Sequence, residues 1–247
     1  MTRTGALAFS LFLLASALAA QTPLAPRGPA LQVSAGGNAS ADDEAPVPAL
    51  GAEGNLVVVW GNPGFFASEI LARQFDAAGR PGPPERVISS PGLLRFAPAI
   101  VPFGPFETSR FLTTWTNAFP PGTSARSAAV GDPNTLSARL LDSVGVPAGP
   151  EIRVDASGTA AYNSRIATLP TGGAVASWES DHLVARFLDT GGQPAGGEID
   201  VAPPHCLPRN VGLAGLPGGG FLALWSPAPE VGSDCTGLQG QVFGADG

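Results

Sequence analysis

The stretch ILARQFDAAGRPGPPERV, residues 70 to 87, decides how the rest of the chain is read, because it returns twice. It recurs as LSARLLDSVGVPAGPEIRV at 136 to 154 and as LVARFLDTGGQPAGGEIDV at 183 to 201. In each copy an Arg stands three residues before an Asp: Arg73 and Asp76, Arg139 and Asp142, Arg186 and Asp189. A Glu follows that Asp by nine, at Glu85, Glu151 and Glu198. A fourth copy, LQGQVFGADG from Leu238, reaches the turn and the chain stops. The alternation in SARLLD and EIRV has the two-residue period of half-buried strands. Asp-x-x-Gly between them suits a turn with Asp first and Gly fourth.

Working outward, each copy is preceded by an apolar run that ends in Trp: GNLVVVW at Trp60, RFLTTW at Trp115, GAVASW at Trp178 and GGGFLALW at Trp225. The Trp residues are separated by 55, 63 and 47 positions, the scale of a blade or solenoid repeat. These runs are more continuously apolar, as expected of strands covered on both faces. A further short apolar stretch, APAIVPF, SRIATLP or NVGLAGLP, stands ahead of the later three. Four antiparallel strands per unit, repeated four times, predict an all-β chain folded as a four-bladed β-propeller.

Loop lengths agree. From the repeat's Asp to the next Trp the distance is 39, 36 and 36 residues, whereas the loop after each Trp holds 9, 20, 4 and 12. The variable connections, residues 61–69, 116–135, 179–182 and 226–237, join second to third strands and emerge on one face. Near the N terminus PALQVSA has the pattern of a blade's last strand, and Val33 precedes Trp60 by 27 residues. Val87, Val154 and Val201 precede their next Trp by 28, 24 and 24. An N-terminal strand is therefore expected to complete the last blade and close the ring, which removes exposed sheet edges. A piece of a larger propeller is the competing expectation.

The chain opens with Arg3, an apolar run from Ala6 to Leu18, and small residues at Ala17 and Ala19. That run is shorter than the roughly 20 apolar residues needed to span a bilayer, so residues 1–20 read as a signal peptide. Residues 21–247 then form the propeller domain of a secreted or periplasmic protein. Cys206 and Cys235, the only cysteines, are expected to pair in an oxidising compartment. The net charge is −7 and the basic residues are all Arg, with no basic patch to attract nucleic acid or an anionic membrane surface.

The Trp strand followed by ARQFDAAGRPGPPERV resembles the tandem repeat of uncharacterised secreted bacterial β-propeller proteins. The resemblance covers the chain after the signal peptide and implies the fold without implying an activity.

Recurrence in three blades makes Asp76 and Glu85 structural, since an active site is normally asymmetric while every blade needs its turn. Asp is expected to hold the turn and Arg to make a cross-strand charge contact with Glu. LPGGGF, with Gly218 to Gly220, lacks the Lys and helix of a phosphate loop and reads as a hairpin. Only His182 and His205 are histidines, and no metal-ligand spacing is present, so neither metal nor cofactor is expected. Asp181 beside His182, with Ser180, is the one local acid and base pair on the variable face, though adjacency alone makes no triad. Phe65, Phe66 and Phe119 are the exposed aromatics expected in two of the variable loops, 61–69 and 116–135. Together with Asp181 and His182 they mark a binding face for a protein or glycan partner.

The leading expectation is a non-catalytic binding or scaffold module, not an enzyme. The alternatives are a propeller-fold hydrolase or lyase with its site at the channel mouth, or a fragment of a larger surface or adhesion protein. Against the hydrolase or lyase stands the poverty of the inner strands in acids, His and Tyr.

Overall fold

The computed structural model describes residues 30, 33–34, 44–62, 68–91, 93–104, 110–118, 134–156, 161–202, 208–227 and 237–247. Apart from Ala30, these belong to one compact unit, Val33–Gly247. The signal-peptide region, Cys206, Cys235, Phe65, Phe66 and Phe119 lie outside the described residues. No helix among the described residues is long and apolar enough to cross a membrane.

Among the described residues every regular element is a strand, and the strands form four antiparallel sheets in chain order. Blade 1 holds β1 (Glu44–Leu50), β2 (Leu56–Asn62), β3 (Glu69–Phe75) and β4 (Arg86–Val87). Blade 2 holds β5 (Leu94–Phe103), β6 (Arg110–Ala118), β7 (Thr135–Leu141) and β8 (Ile152–Arg153). Blade 3 holds β9 (Tyr162–Thr168), β10 (Ala174–Glu179), β11 (Leu183–Leu188) and β12 (Pro194–Asp200). Blade 4 holds β13 (Pro208–Gly215), β14 (Phe221–Pro227) and β15 (Gln239–Phe243), three strands among the described residues. This is the predicted all-β propeller with four blades.

The repeat's Asp builds its turn as expected. Oδ1 of Asp142 accepts the amides of Val144 and Val146, and Oδ1 of Asp189 accepts those of Gly191 and Gln193. Asp76 does the same for Ala78 and Arg80. The fourth turn residue, Gly79, Gly145 or Gly192, has a φ of 76 to 78°, a left-handed conformation that side chains other than glycine's adopt at a cost.

Three of the four tryptophans pack against the preceding blade. Trp115 packs with Val57, Val59, Ile70 and Ile88 of the blade 1 side, and Trp178 with Phe103, Leu112, Leu136 and Val154 of the blade 2 side. Trp225 joins Val175, Leu183, Ala185 and Val201 of blade 3. These clusters form three successive seams between sheets, and Trp60 belongs to a fourth with Val58, Leu71 and Phe75.

Arg and Glu of the repeat do not make the expected cross-strand charge contact. Arg139 donates from Nη1 to the carbonyl of Ile88 and from Nε to that of Gly149, at 2.9 and 2.8 Å. Arg186 does the same with Val154 and Gly196. Glu151 accepts the amide of Ser90, and Glu198 that of Ala156. Both side chains thus grip the chain as it leaves the preceding blade, where unpaired backbone groups need partners.

The N-terminal segment enters this pattern at Val33. Arg73 donates to the Val33 carbonyl at 2.7 Å, and Val33 packs on Val58, Trp60, Leu71 and Phe75. Val33 therefore meets blade 1 as Ile88 meets blade 2 and Val154 meets blade 3. The blade 1 counterpart of Val154 is Ile88, not Val87: Ile88 is fully buried, whereas Val87 is 46% exposed. Ile88 precedes Trp115 by 27 residues, the same interval as from Val33 to Trp60.

Candidate functional site

In every blade the second strand ends, and the third begins, on the face that carries the variable loops. In blade 3 this connection is so short that the backbone folds on itself, the Ser180 amide donating to the His182 carbonyl at 2.8 Å. The turn holds Asp181 and His182 together. The returning end of β12 brings Asp200 to the opposite side of the imidazole. Nδ1 of His182 lies 2.5 Å from Oδ1 of Asp181, and Nε2 lies 2.8 Å from Oδ1 of Asp200. With both ring nitrogens facing carboxylate oxygens, only the imidazolium can donate to both.

The electrostatics follow from that geometry. Burial presses the His182 pKa down, but the hydrogen bonds to Asp200 and Asp181, reinforced by their charges, outweigh it and hold the imidazole above its ordinary value. Asp181 is held below the usual carboxylate range, chiefly by its hydrogen bond to His182. The His182 side chain is 20% exposed, while those of Asp181 and Asp200 are 71% and 86% exposed. Two open carboxylates thus flank one sheltered proton carrier, an arrangement that can take up a proton at one oxygen and release one at the other.

Beside this cluster, at the end of β10, Glu179 accepts a hydrogen bond from Nδ2 of Asn163 at 2.9 Å. Asn163 sits at a register shift between β9 and β10 and has a φ of 49°. Bulges of this kind re-aim side chains next to functional surfaces. Comparable shifts with a left-handed residue occur at Ala97 and Asn210 in the inner strands of blades 2 and 4.

A second feature lies on the opposite face, about 20 Å away along the seven-residue strand β9. There the turns after β1, β5 and β9 surround a cavity of 790 Å³ at the mouth of the blade axis. Its lining is largely apolar, with Leu50, Phe103, Leu169 and Pro170, and includes Arg110 and Thr190.

Sequence reasoning placed Asp181 and His182 on the variable face, and the structure brings them together there. Ser180 adjoins them, but its position supplies no triad. Sequence reasoning missed Asp200, which carried a signal. Asp200 stands where the two earlier copies have Val87 and Arg153, two residues after the repeat's Glu, so the third copy alone carries an acid there. Among the described residues no group of His, Cys, Asp and Glu is arranged to hold a metal ion.

No family model matches the sequence, and no curated protein matches it. Solved structures do match. The α-L-arabinofuranosidase Arb93A from Fusarium graminearum, solved with an iminosugar inhibitor, aligns at a TM-score of 0.51 and 15% identity over 80% of this chain and 60% of its own. A Hadza microbial sialidase gives 0.46 and 14% over 74% and 41%, and a GH43 β-1,3-galactosidase 0.46 and 10% over 76% and 43%. The chain spans about 40 to 60% of the length of these proteins. At such identities the likeness is one of fold: an all-β propeller of the kind that glycoside hydrolases use.

The comparisons overturn the expectation of a chain that is not an enzyme. That expectation took the fold for a bare scaffold, yet the arabinofuranosidase has the same fold and is a glycoside hydrolase. That expectation also rested on the inner strands, which are poor in titratable groups. The Asp181, His182 and Asp200 cluster is instead assembled from a loop and the end of an outer strand.

Proposed function

We propose that the chain is an exported propeller-fold hydrolase acting on glycans, with its acid and base groups on the face of the variable loops. The observation that carries the reading is the imidazole of His182 held between the carboxylates of Asp181 and Asp200. Hydrolysis of a glycosidic bond needs one group to protonate the leaving oxygen and another to activate water. Two carboxylates that share a protonated imidazole meet that need with groups of ordinary residue chemistry and no metal. One Asp takes the proton of the attacking water, and His182 resupplies a proton through the other. The fold shared with an arabinofuranosidase supports this reading as an analogy of scaffold only. The apolar segment behind Arg3 supports export, since its length suits a cleaved leader.

The test is turnover of a panel of aryl glycosides, including arabinofuranosides, galactosides and sialosides, by the chain lacking residues 1–20. Hydrolysis of at least one substrate is expected, with a loss of about a hundredfold or more in Asp181→Asn or Asp200→Asn. Hydrolysis that survives both substitutions, or a wild type inert on every substrate, overturns the proposal.

A further inference from the structure

We propose that the cavity on the face opposite His182 binds a small organic carboxylate with an apolar body. The inference does not rest on the glycan reading, because the two sites lie at opposite ends of the strands.

Three observations converge on this ligand. The cavity has 790 Å³ of space and mostly apolar walls, room for a molecule of several rings or a short chain. Arg110 is the one charged residue among the described residues that line it. The Nε of Arg110 is buried and has no hydrogen-bond partner among the described residues. Nε itself is shut off from the cavity, as are the unpartnered Nε atoms of Arg73 and Arg95, so it is the charge of the guanidinium beside an apolar space that an entering anion balances.

The chemistry selects among anions. A guanidinium presents parallel N–H donors that match the two oxygens of a carboxylate. A phosphate dianion calls for more than one cation, and no second cation is among the described residues that line the walls. Leu50, Phe103, Leu169 and Pro170 favour a hydrocarbon body over a sugar, whose hydroxyls would find, besides Arg110, only Thr168, Thr171 and Thr190 as side-chain partners among the described residues.

Phenylacetate, its neutral isostere phenylacetamide, and glucuronate are the probes, titrated into isotopically labelled chain while backbone amide shifts are followed. Phenylacetate is expected to shift the amides of Gly104 and of Thr168 to Gly172, with a dissociation constant near about 1 mM for so small a ligand. Phenylacetamide and glucuronate are each expected to bind about tenfold or more weakly, the first for want of charge and the second for want of an apolar body. Arg110→Gln is expected to weaken phenylacetate about tenfold at an unchanged unfolding temperature. If that variant does not fold, the comparison of phenylacetate with phenylacetamide on the wild type decides by itself. Equal affinity for the two, stronger binding of glucuronate, shifts confined to other residues, or no saturable shift each overturn the proposal.

Discussion

Arg139 of the second blade donates to the carbonyl oxygen of Ile88, the residue by which the chain leaves the first blade, at 2.9 Å. The same guanidinium reaches Gly149 of its own blade at 2.8 Å, so one side chain ties a strand-4 approach to the junction behind it. Hydrogen bonds from a charged donor to buried carbonyls contribute about 1.5 to 3 kcal/mol, and Arg139→Ala is expected to lose stability in that range. Arg139→Lys should recover only part, because an ammonium cannot address two carbonyls with a fixed fork. Urea unfolding of both variants measures the difference. Full recovery by Lys would show that charge, not the fork, holds the junction.

The turn aspartates make a second case. Each accepts two backbone amides, as Asp189 does from Gly191 at 2.8 Å and Gln193 at 2.9 Å. By analogy with helix caps, where a side-chain oxygen satisfies backbone donors, Asp189→Ala should cost about 0.5 to 2 kcal/mol. Asp142→Ala should match it, since the geometry repeats. Arg80, which pairs with Asp76 at 2.7 Å on an exposed surface, should be replaceable by Ala within about 0.5 kcal/mol. Thermal melts of the three variants test the ordering, and a larger loss for Arg80 than for Asp189 would refute it.

Much of this architecture was legible because a repeated unit states each constraint several times. Asp76, Asp142 and Asp189 announced their turns by recurrence, and the recurring tryptophans marked the strands from which Trp115, Trp178 and Trp225 enter the seams between sheets. The partners of Arg139 and Glu151 were not legible, because they are backbone groups, Ile88 carbonyl and Ser90 amide, and backbone atoms leave no trace in sequence pattern. Reading the recurring Arg and Glu as partners for each other was the natural error. The site was half legible. Asp181 and His182 adjoin in sequence, while Asp200 reaches them only through the pairing of β11 with β12, Val184 opposite Asp200. The cavity beside Arg110 was invisible, since three separate turns build it.

The N-terminal segment yields a third expectation. Val33 covers Val58, Trp60, Leu71 and Phe75, and its carbonyl takes the hydrogen bond that Ile88 and Val154 take in the next two blades. Blade 4 shows three strands among the described residues, and Leu224 and Val242 are exposed on the face turned from blade 3. A chain lacking residues 21–40 should therefore unfold at distinctly lower temperature. Val33→Ala alone should cost about 1 kcal/mol, since a half-buried side chain loses two methyl groups. An unfolding temperature unchanged by the deletion would remove the segment from the propeller.

The cluster at His182 predicts how stability follows pH. Its imidazole pKa is raised in the folded chain, so its contribution is fully present below the unfolded value of about 6.5 and is lost as pH rises through the raised folded value. Asp181 has the opposite sign. Its pKa is lowered, so its contribution is present above about 3.9 and is lost as pH falls through the depressed value. Between those limits His182 and Asp181 are both charged and the hydrogen bond between them is intact. Because both carboxylates are largely exposed, the effect should stay within about 0.2 to 1 kcal/mol for each pair and shrink in salt. Denaturant midpoints are expected to fall from pH 6 to pH 9, by about that amount, in the wild type and not in His182→Gln. Direct titration of the His182 ring by NMR supplies the mechanism: a pKa at or below the model-peptide value would mean that burial outweighs the two aspartates, and the sign of the whole pH dependence would reverse.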